Sequence, residues 1–185
     1  MIRQAALWAG GLLCAALLGG CGNLTLSKPT ASFRSMSLDD VTGRGFTMNV
    51  DVDVRNPNSV PLPLGAIDYG LDLGGVEVIE KSRIKSSATI PADSRETIRI
   101  PIPMTFRNLL QAQEAIRRGG GDVSYKLDAG LNFDTGTPLL GTLRVPFEHE
   151  GSIPVQKLLR QNWSAILTSS EARRLAEAVL GGLPF

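Results

Sequence analysis

Few side chains in this sequence are equipped for chemistry, and their spacing limits what they can do. His149 is the only histidine. Activating a nucleophile would need a serine or cysteine and a carboxylate within hydrogen-bond reach of it. No Gly-x-Ser-x-Gly elbow presents such a serine. A lone histidine also offers too few nitrogens for a zinc site, so His149 reads as a strand-end residue. Cys14 and Cys21 are the only cysteines, and both fall near the start of the chain. The remainder therefore has no thiol for a disulfide, a metal or a nucleophile. Gly119-Gly120-Gly121 lacks a following Lys-Ser or Lys-Thr and closes an apolar stretch instead of opening a helix, which is the wrong arrangement for a phosphate loop.

Two groups of polar residues remain. Asp51 and Asp53 lie two apart, as do Asn49 and Asp51, on the polar side of one alternating stretch, and Asp68 and Asp72 lie on the polar side of another. If the two stretches pair as neighbouring strands, four carboxylates approach closely enough to offer Ca²⁺ its oxygen ligands. The alternative is a solvated acidic face. No loop supplies backbone carbonyls in the calcium-loop pattern, so the sequence points to no metal and no cofactor. Asn56, Pro57 and Asn58 form the second group: either a strand-ending turn, because Asn bonds its own backbone and Pro withdraws a donor, or a pair of amides presented to a client or glycan.

The elements that must position these residues are mostly strands. From Phe46 to Arg55 apolar and polar residues alternate at every step, which sets Phe46, Met48, Val50, Val52 and Val54 on one face of a strand. The same alternation puts Ile67, Tyr69, Leu71 and Leu73 inward, then Ile98, Ile100, Ile102 and Met104. It returns in Val123 to Phe133 and in Leu143, Val145 and Phe147. A less regular first strand spans 31–41, and Val76, Val78 and Ile84 face the core of a strand that follows the Gly74-Gly75 hairpin. The proline-studded 60–64 segment reads as an edge or linking piece. Pro101 and Pro103 place their strand at an edge or beside a bulge. Leu109, Leu110, Ala112, Gln113 and Ile116 switch the period to that of one helix of about three turns.

Strands at roughly ten-residue spacing with one crossing helix predict a mainly β fold, an antiparallel fibronectin-III or immunoglobulin-like β-sandwich of about seven strands. Beyond Pro154 the pattern is helical. One apolar stretch carries Leu158, Leu159, Trp163, Ile166 and Leu167. A second helix, opened by a Thr168 to Glu171 capping box, carries Ala172, Leu175, Ala176, Val179 and Leu180. These helices either dock on the sandwich or, through Trp163, Leu175, Val179 and Phe185, meet an envelope partner.

Charge narrows the partners. Lys plus Arg number 19 and Asp plus Glu 18, for a net charge of +1, and aromatics make up 5%. No global field draws in nucleic acid, and no basic cluster is interleaved with aromatics. The first 20 residues carry one basic residue, Arg3, then an apolar run from Ala5 to Leu18 that is shorter than a bilayer span, then Gly19-Gly20. This describes an export signal.

Leu18-Gly19-Gly20-Cys21 resembles the lipobox of bacterial lipoproteins. That resemblance implies cleavage before Cys21 and lipidation of Cys21, with several acyl chains as a firm membrane anchor. Gly22 in place of Asp after Cys21 resembles Gram-negative signals for the outer membrane, which implies its periplasmic face. The expected organisation is a signal peptide at 1–20, a tether at 21–30, a β-sandwich domain at 31–151 and a helical extension at 152–185.

A second resemblance rests on Val52-Asp53-Val54-Arg55-Asn56-Pro57-Asn58, the proline-rich step, Ile67-Asp68-Tyr69-Gly70-Leu71, Ile90-Pro91-Ala92 and Ile98-Arg99-Ile100-Pro101-Ile102. Together these resemble the WHy (Water stress and Hypersensitive response) domain of the type 2 late embryogenesis abundant proteins, over about Ser32 to Glu150. The resemblance implies a fibronectin-III-like sandwich with one helix. It also implies a non-enzymatic role in protecting client proteins or envelopes during desiccation and freezing. The lipobox and the helices after Pro154 lie outside that common domain.

Overall fold

The structure, a computed structural model, describes residues 26–136, 141–162, 164 and 168–181. Cys21, Trp163 and Phe185 lie outside the described residues, as do the expected signal peptide and most of the tether. Two antiparallel sheets are stacked on one core. The first has three strands, β1 (Thr30–Asp39), β2 (Gly45–Arg55) and β6 (Arg95–Thr105), in the order β1-β2-β6. The second has five: β3 (Leu62–Leu73), β4 (Val76–Lys85), β5 (Thr89–Ile90), β7 (Val123–Asp134) and β8 (Thr142–Ile153). Its order is β4-β3-β7-β8, with β5 continuing along the β4 side of β3.

The alternation in the sequence is what closes the two layers. On β2, Met48, Val50, Val52 and Val54 are wholly buried, and on β6 so are Ile100 and Ile102. They face Leu71, Leu127, Leu131 and Phe133 of the other sheet, all within one cluster. Burying each such side chain stabilises the fold by about 1.5–3 kcal/mol. β6 occupies an edge, with Pro101 opposite Asn49 and Pro103 opposite Thr47. An edge tolerates the two missing N–H donors without breaking a ladder.

Among the described residues the strands number eight where about seven are expected, because β5 has only two residues and carries no pattern of its own. The 60–64 segment is no separate linker: Leu62 and Leu64 are buried and belong to the start of β3, with Pro63 exposed between them. Val76 is 38% exposed although it stands opposite buried Leu73 across the β3–β4 ladder, because β4 is an edge strand; Val78 is buried and Ile84 half-buried.

The expected single helix is two short ones, α1 (Phe106–Gln111) and α2 (Gln113–Arg118), which meet at Ala112 with φ −97 and ψ 11. Ala112 is buried at the break, and its N–H donates to the Leu109 carbonyl three residues back, a tighter turn than an α-helix makes. α1 starts on a reciprocal cap. The Thr105 hydroxyl accepts from Asn108 N–H, and the Asn108 side chain accepts from Thr105 N–H.

The extension contains α3 (Val155–Gln161) and α4 (Ser170–Leu180). α4 is capped by Ser169, one residue later than the expected Thr168, and ends at Gly181 in the left-handed conformation. It packs against α1, α2 and α3. Leu175 and Ala176 are wholly buried there and Val179 is packed against the core. Leu175 is therefore spent on the chain's own fold.

These connections give the sandwich two distinct poles. β2 and β6 start and finish together, with Gly45 opposite Thr105 at one end and Arg55 opposite Arg95 at the other. The first end leads into α1 and the helical cap. The second carries the Asn56-Pro57-Asn58 turn. The 11 residues of β2 separate them by roughly 35 Å at about 3.3 Å per residue.

Candidate functional site

At the second pole, Pro57 cannot donate and the chain reverses. The amides of Asn56 and Asn58 take over the bonding. Asn56 is 1% exposed. Its Nδ2 donates to the carbonyls of Val60 (2.8 Å), Pro91 (3.0 Å) and Ile90 (3.3 Å), and its Oδ1 accepts from the Asn58 N–H (3.0 Å) and the Asn58 Nδ2 (2.9 Å). Asn58 Oδ1 accepts from the Ser27 N–H at 2.7 Å, and its Nδ2 donates to the Ser27 carbonyl at 2.9 Å. Backbone bonds from Asn56 N–H to Ser94 O and from Asp93 N–H to Asn58 O fasten this turn to the one before β6, both at 2.9 Å.

The ladder between β1 and β2 pairs Thr30 with Arg55, and the same register carried three residues outward sets Ser27 opposite Asn58. The Asn58 amide thus makes the two bonds that a backbone pair would have made there. Both asparagine amides are turned into the protein, and the exposed charged residues of the pole are the cations Lys28, Arg55 and Arg95 and the acids Asp93 and Glu96. None of the three cations is in an ion pair with a described residue.

The aspartates are not brought together. Asp51 and Asp53 are on β2 of the three-stranded sheet and Asp68 and Asp72 on β3 of the other, so the strands are not neighbours and the two pairs face outward from opposite layers. The expected condition for a four-carboxylate calcium site fails on topology. Each group has its own partner instead. Arg99 across the ladder gives Asp51 two hydrogen bonds, at 2.8 and 3.1 Å. Thr97 (2.8 Å) and Arg34 (3.3 Å) hold Asp53. Arg83 forks onto Asp68, which also accepts from Asn132 at 3.0 Å. The Asp72 carboxylate accepts from the Gly75 N–H at 2.7 Å and shapes the β3–β4 hairpin.

These bonds to the charged form pull carboxyl pKa values down. Arg99 is the largest cause for Asp51, Thr97 for Asp53 and Arg83 for Asp68, each against a smaller opposing cost of burial. Among the described residues no group of three acidic, histidine or cysteine side chains is arranged to hold a metal ion.

His149 sits on β8 under aromatic rings. Phe33 of β1 stacks on it with centroids 3.6 Å apart and planes 7° from parallel; Tyr125 and Phe147 lie at 5.9 and 6.5 Å. No described serine or carboxylate hydrogen-bonds to its imidazole. Burial pushes its pKa below the ordinary value, against the nearby Glu150, which raises it. Sequence reasoning missed this seam between β1 and β8. The residues are 116 positions apart and their pairing depends on how the two sheets close. The Asn58–Ser27 clamp was missed for the same kind of reason, although the Asn-Pro-Asn turn itself was legible.

The comparisons with known proteins agree with this geometry. Residues 51–151 match the family model described as late embryogenesis abundant protein, LEA_2. A desiccation-related protein of Craterostigma plantagineum is 28% identical over 133 residues, covering 72% of this chain and 85% of the relative. A desiccation protectant protein of Glycine max matches with the same identity and coverage. Among solved structures, a solution structure of an Arabidopsis thaliana protein superposes with a TM-score of 0.55 at 26% identity, covering 69% of this chain and 82% of that one. A crystal structure of a protein from Archaeoglobus fulgidus shares the fold, with a TM-score of 0.52 at 17% identity over 70% of this chain and 96% of that one.

Proposed function

We propose, from the late embryogenesis abundant protein family to which this chain belongs, that it is a non-enzymatic stress protectant of the Water stress and Hypersensitive response type, anchored in the cell envelope by acyl chains on Cys21. The desiccation-related relatives support the protective role. One structural observation carries the reading furthest: the polar groups best placed for chemistry are already engaged inside the fold. Asn56 and Asn58 bond one another and the backbone, the outward aspartates are held by Arg34, Arg83, Arg99 and Thr97, and His149 lies beneath Phe33.

What faces outward is a firm, hydrated, nearly charge-neutral surface on a rigid two-layer core. Such a surface stays hydrated as water is withdrawn and holds neighbouring proteins and bilayers apart. The lipobox-like Leu18-Gly19-Gly20-Cys21 motivates placing it on a membrane, at the periplasmic face of the outer membrane in a Gram-negative cell.

The test is a freezing assay. The purified protein preserves the activity of a freeze-labile enzyme better than an equal mass of albumin. Equal or poorer preservation contradicts the proposal.

A further inference from the structure

The tether enters the fold at a pole that is built to receive something. Resting on the proposed lipidation of Cys21, we infer that the Asn-Pro-Asn pole is the bilayer-facing surface of the protein, with Lys28, Arg55 and Arg95 set against lipid phosphates and the helical cap directed away.

Two independent features point this way. The first is the clamp. Ser27 is gripped on both its N–H and its carbonyl by Asn58, so the chain leaves the sandwich at that pole. Five residues separate Ser27 from Cys21, and the six steps between the two can span at most about 20 Å. The helical end lies a full strand length further, roughly 35 Å. The second is an electrostatic conflict. Arg55 and Arg95 stand directly opposite each other across β2 and β6, and like charges in that position repel. Neither forms an ion pair with a described residue, and exposed Lys28 lies next to them on the strap.

The acids of this pole relieve the conflict only in part: Asp53, held by Arg34 and Thr97, also feels the charge of Arg95, while Asp93 and Glu96 form no ion pair with a described residue. A layer of phosphates resolves it by supplying anions on the side where the tether must end. The helical cap also carries cations that form no ion pair with a described residue, Lys157, Arg160, Arg173 and Arg174. The short tether keeps them away from the bilayer that holds the anchor.

The test uses the full lipidated protein in phosphatidylethanolamine vesicles with and without phosphatidylglycerol. Ser59→Cys reports on the Asn-Pro-Asn pole and Gln113→Cys on the helical one; both side chains are exposed. Each is labelled with a fluorophore, and energy transfer to an acceptor at the headgroups is measured. The Ser59 label transfers several-fold more efficiently than the Gln113 label, and phosphatidylglycerol widens the contrast. In the Arg55→Ala, Arg95→Ala double variant that dependence on phosphatidylglycerol is lost. In Asn58→Ala the contrast itself shrinks. Should Asn58→Ala fail to fold, the arginine variant, which alters only exposed side chains, still decides the matter. Intact mass separates the two ways of being wrong. An unacylated Cys21 overturns the anchoring and this orientation with it, whereas an acylated protein whose two labels transfer equally, or whose Gln113 label is nearer, overturns the orientation alone.

Discussion

Phe33 and His149 close the seam between the two sheets: their rings stack at 3.6 Å, nearly parallel, and join β1 of one layer to β8 of the other. Burial favours the neutral imidazole. The unfolded chain takes up a proton near the ordinary value of 6.5, while the folded chain takes it up only at lower pH. The unfolded state therefore binds more protons between those two points, and stability is full above pH 6.5 and lost as the pH falls below it. Urea midpoints measured from pH 7.5 downward should decline through this window in the native protein and stay level in His149→Phe, which keeps the stack without the titration. The aspartate pairs contribute in a separate window. Their lowered pKa values make them stabilising above about 3.8 and lost below it.

Removing the Asn56 side chain takes the donor from the part-buried Val60 carbonyl and the acceptor from the buried Asn58 N–H, while Pro91 and the Asn58 side chain keep Ser94 and Ser27. A buried polar group left unsatisfied costs about 1–3 kcal/mol, so Asn56→Ala is expected to lose roughly 2–4 kcal/mol in urea unfolding. Asn56→Asp loses at least as much, because a carboxylate cannot donate to the Val60 carbonyl. A surface presentation of the amide would leave both variants at native stability.

Leu175 is wholly buried where α4 meets α1 and α2. Leu175→Ala should cost about 2–5 kcal/mol, and truncation after Pro154 should lower the melting temperature of the remaining sandwich by uncovering Phe106, Leu109 and Ile116. An extension that merely hangs from the domain would be removable without effect on melting.

Calcium titration should give no binding heat and no rise in melting temperature, because Asp51 and Asp53 are separated from Asp68 and Asp72 by the whole thickness of the sandwich. A saturable isotherm abolished by Asp51→Asn would overturn that account.

Legibility in the sequence followed the range of the interactions. β2, β3 and β7 could be read because strict alternation is a local property that the two-layer core then uses unchanged. The start of β3 was obscured by Pro61 and Pro63, whose missing donors suggest a strand's end, yet Leu62 and Leu64 still pack inward. The helix break at Ala112 and the exposure of Val76 on an edge strand arise from packing and sheet order, which leave no mark on composition. At the candidate site the Asn-Pro-Asn turn was visible, but its partners Ser27, Ile90 and Pro91 lie 31 to 35 residues away. Asp51 and Asp68 were legible as outward carboxylates, but their assignment to different sheets was not.

The central claim, that an envelope-anchored sandwich protects by its presence and not by catalysis, meets its most direct test in survival after drying. Cells with the native chain, a deletion and Cys21→Ala are dried, rehydrated and counted. The account predicts that the deletion loses viability and that Cys21→Ala, although folded, fails to restore it. A deletion strain that survives drying as well as its parent would contradict it.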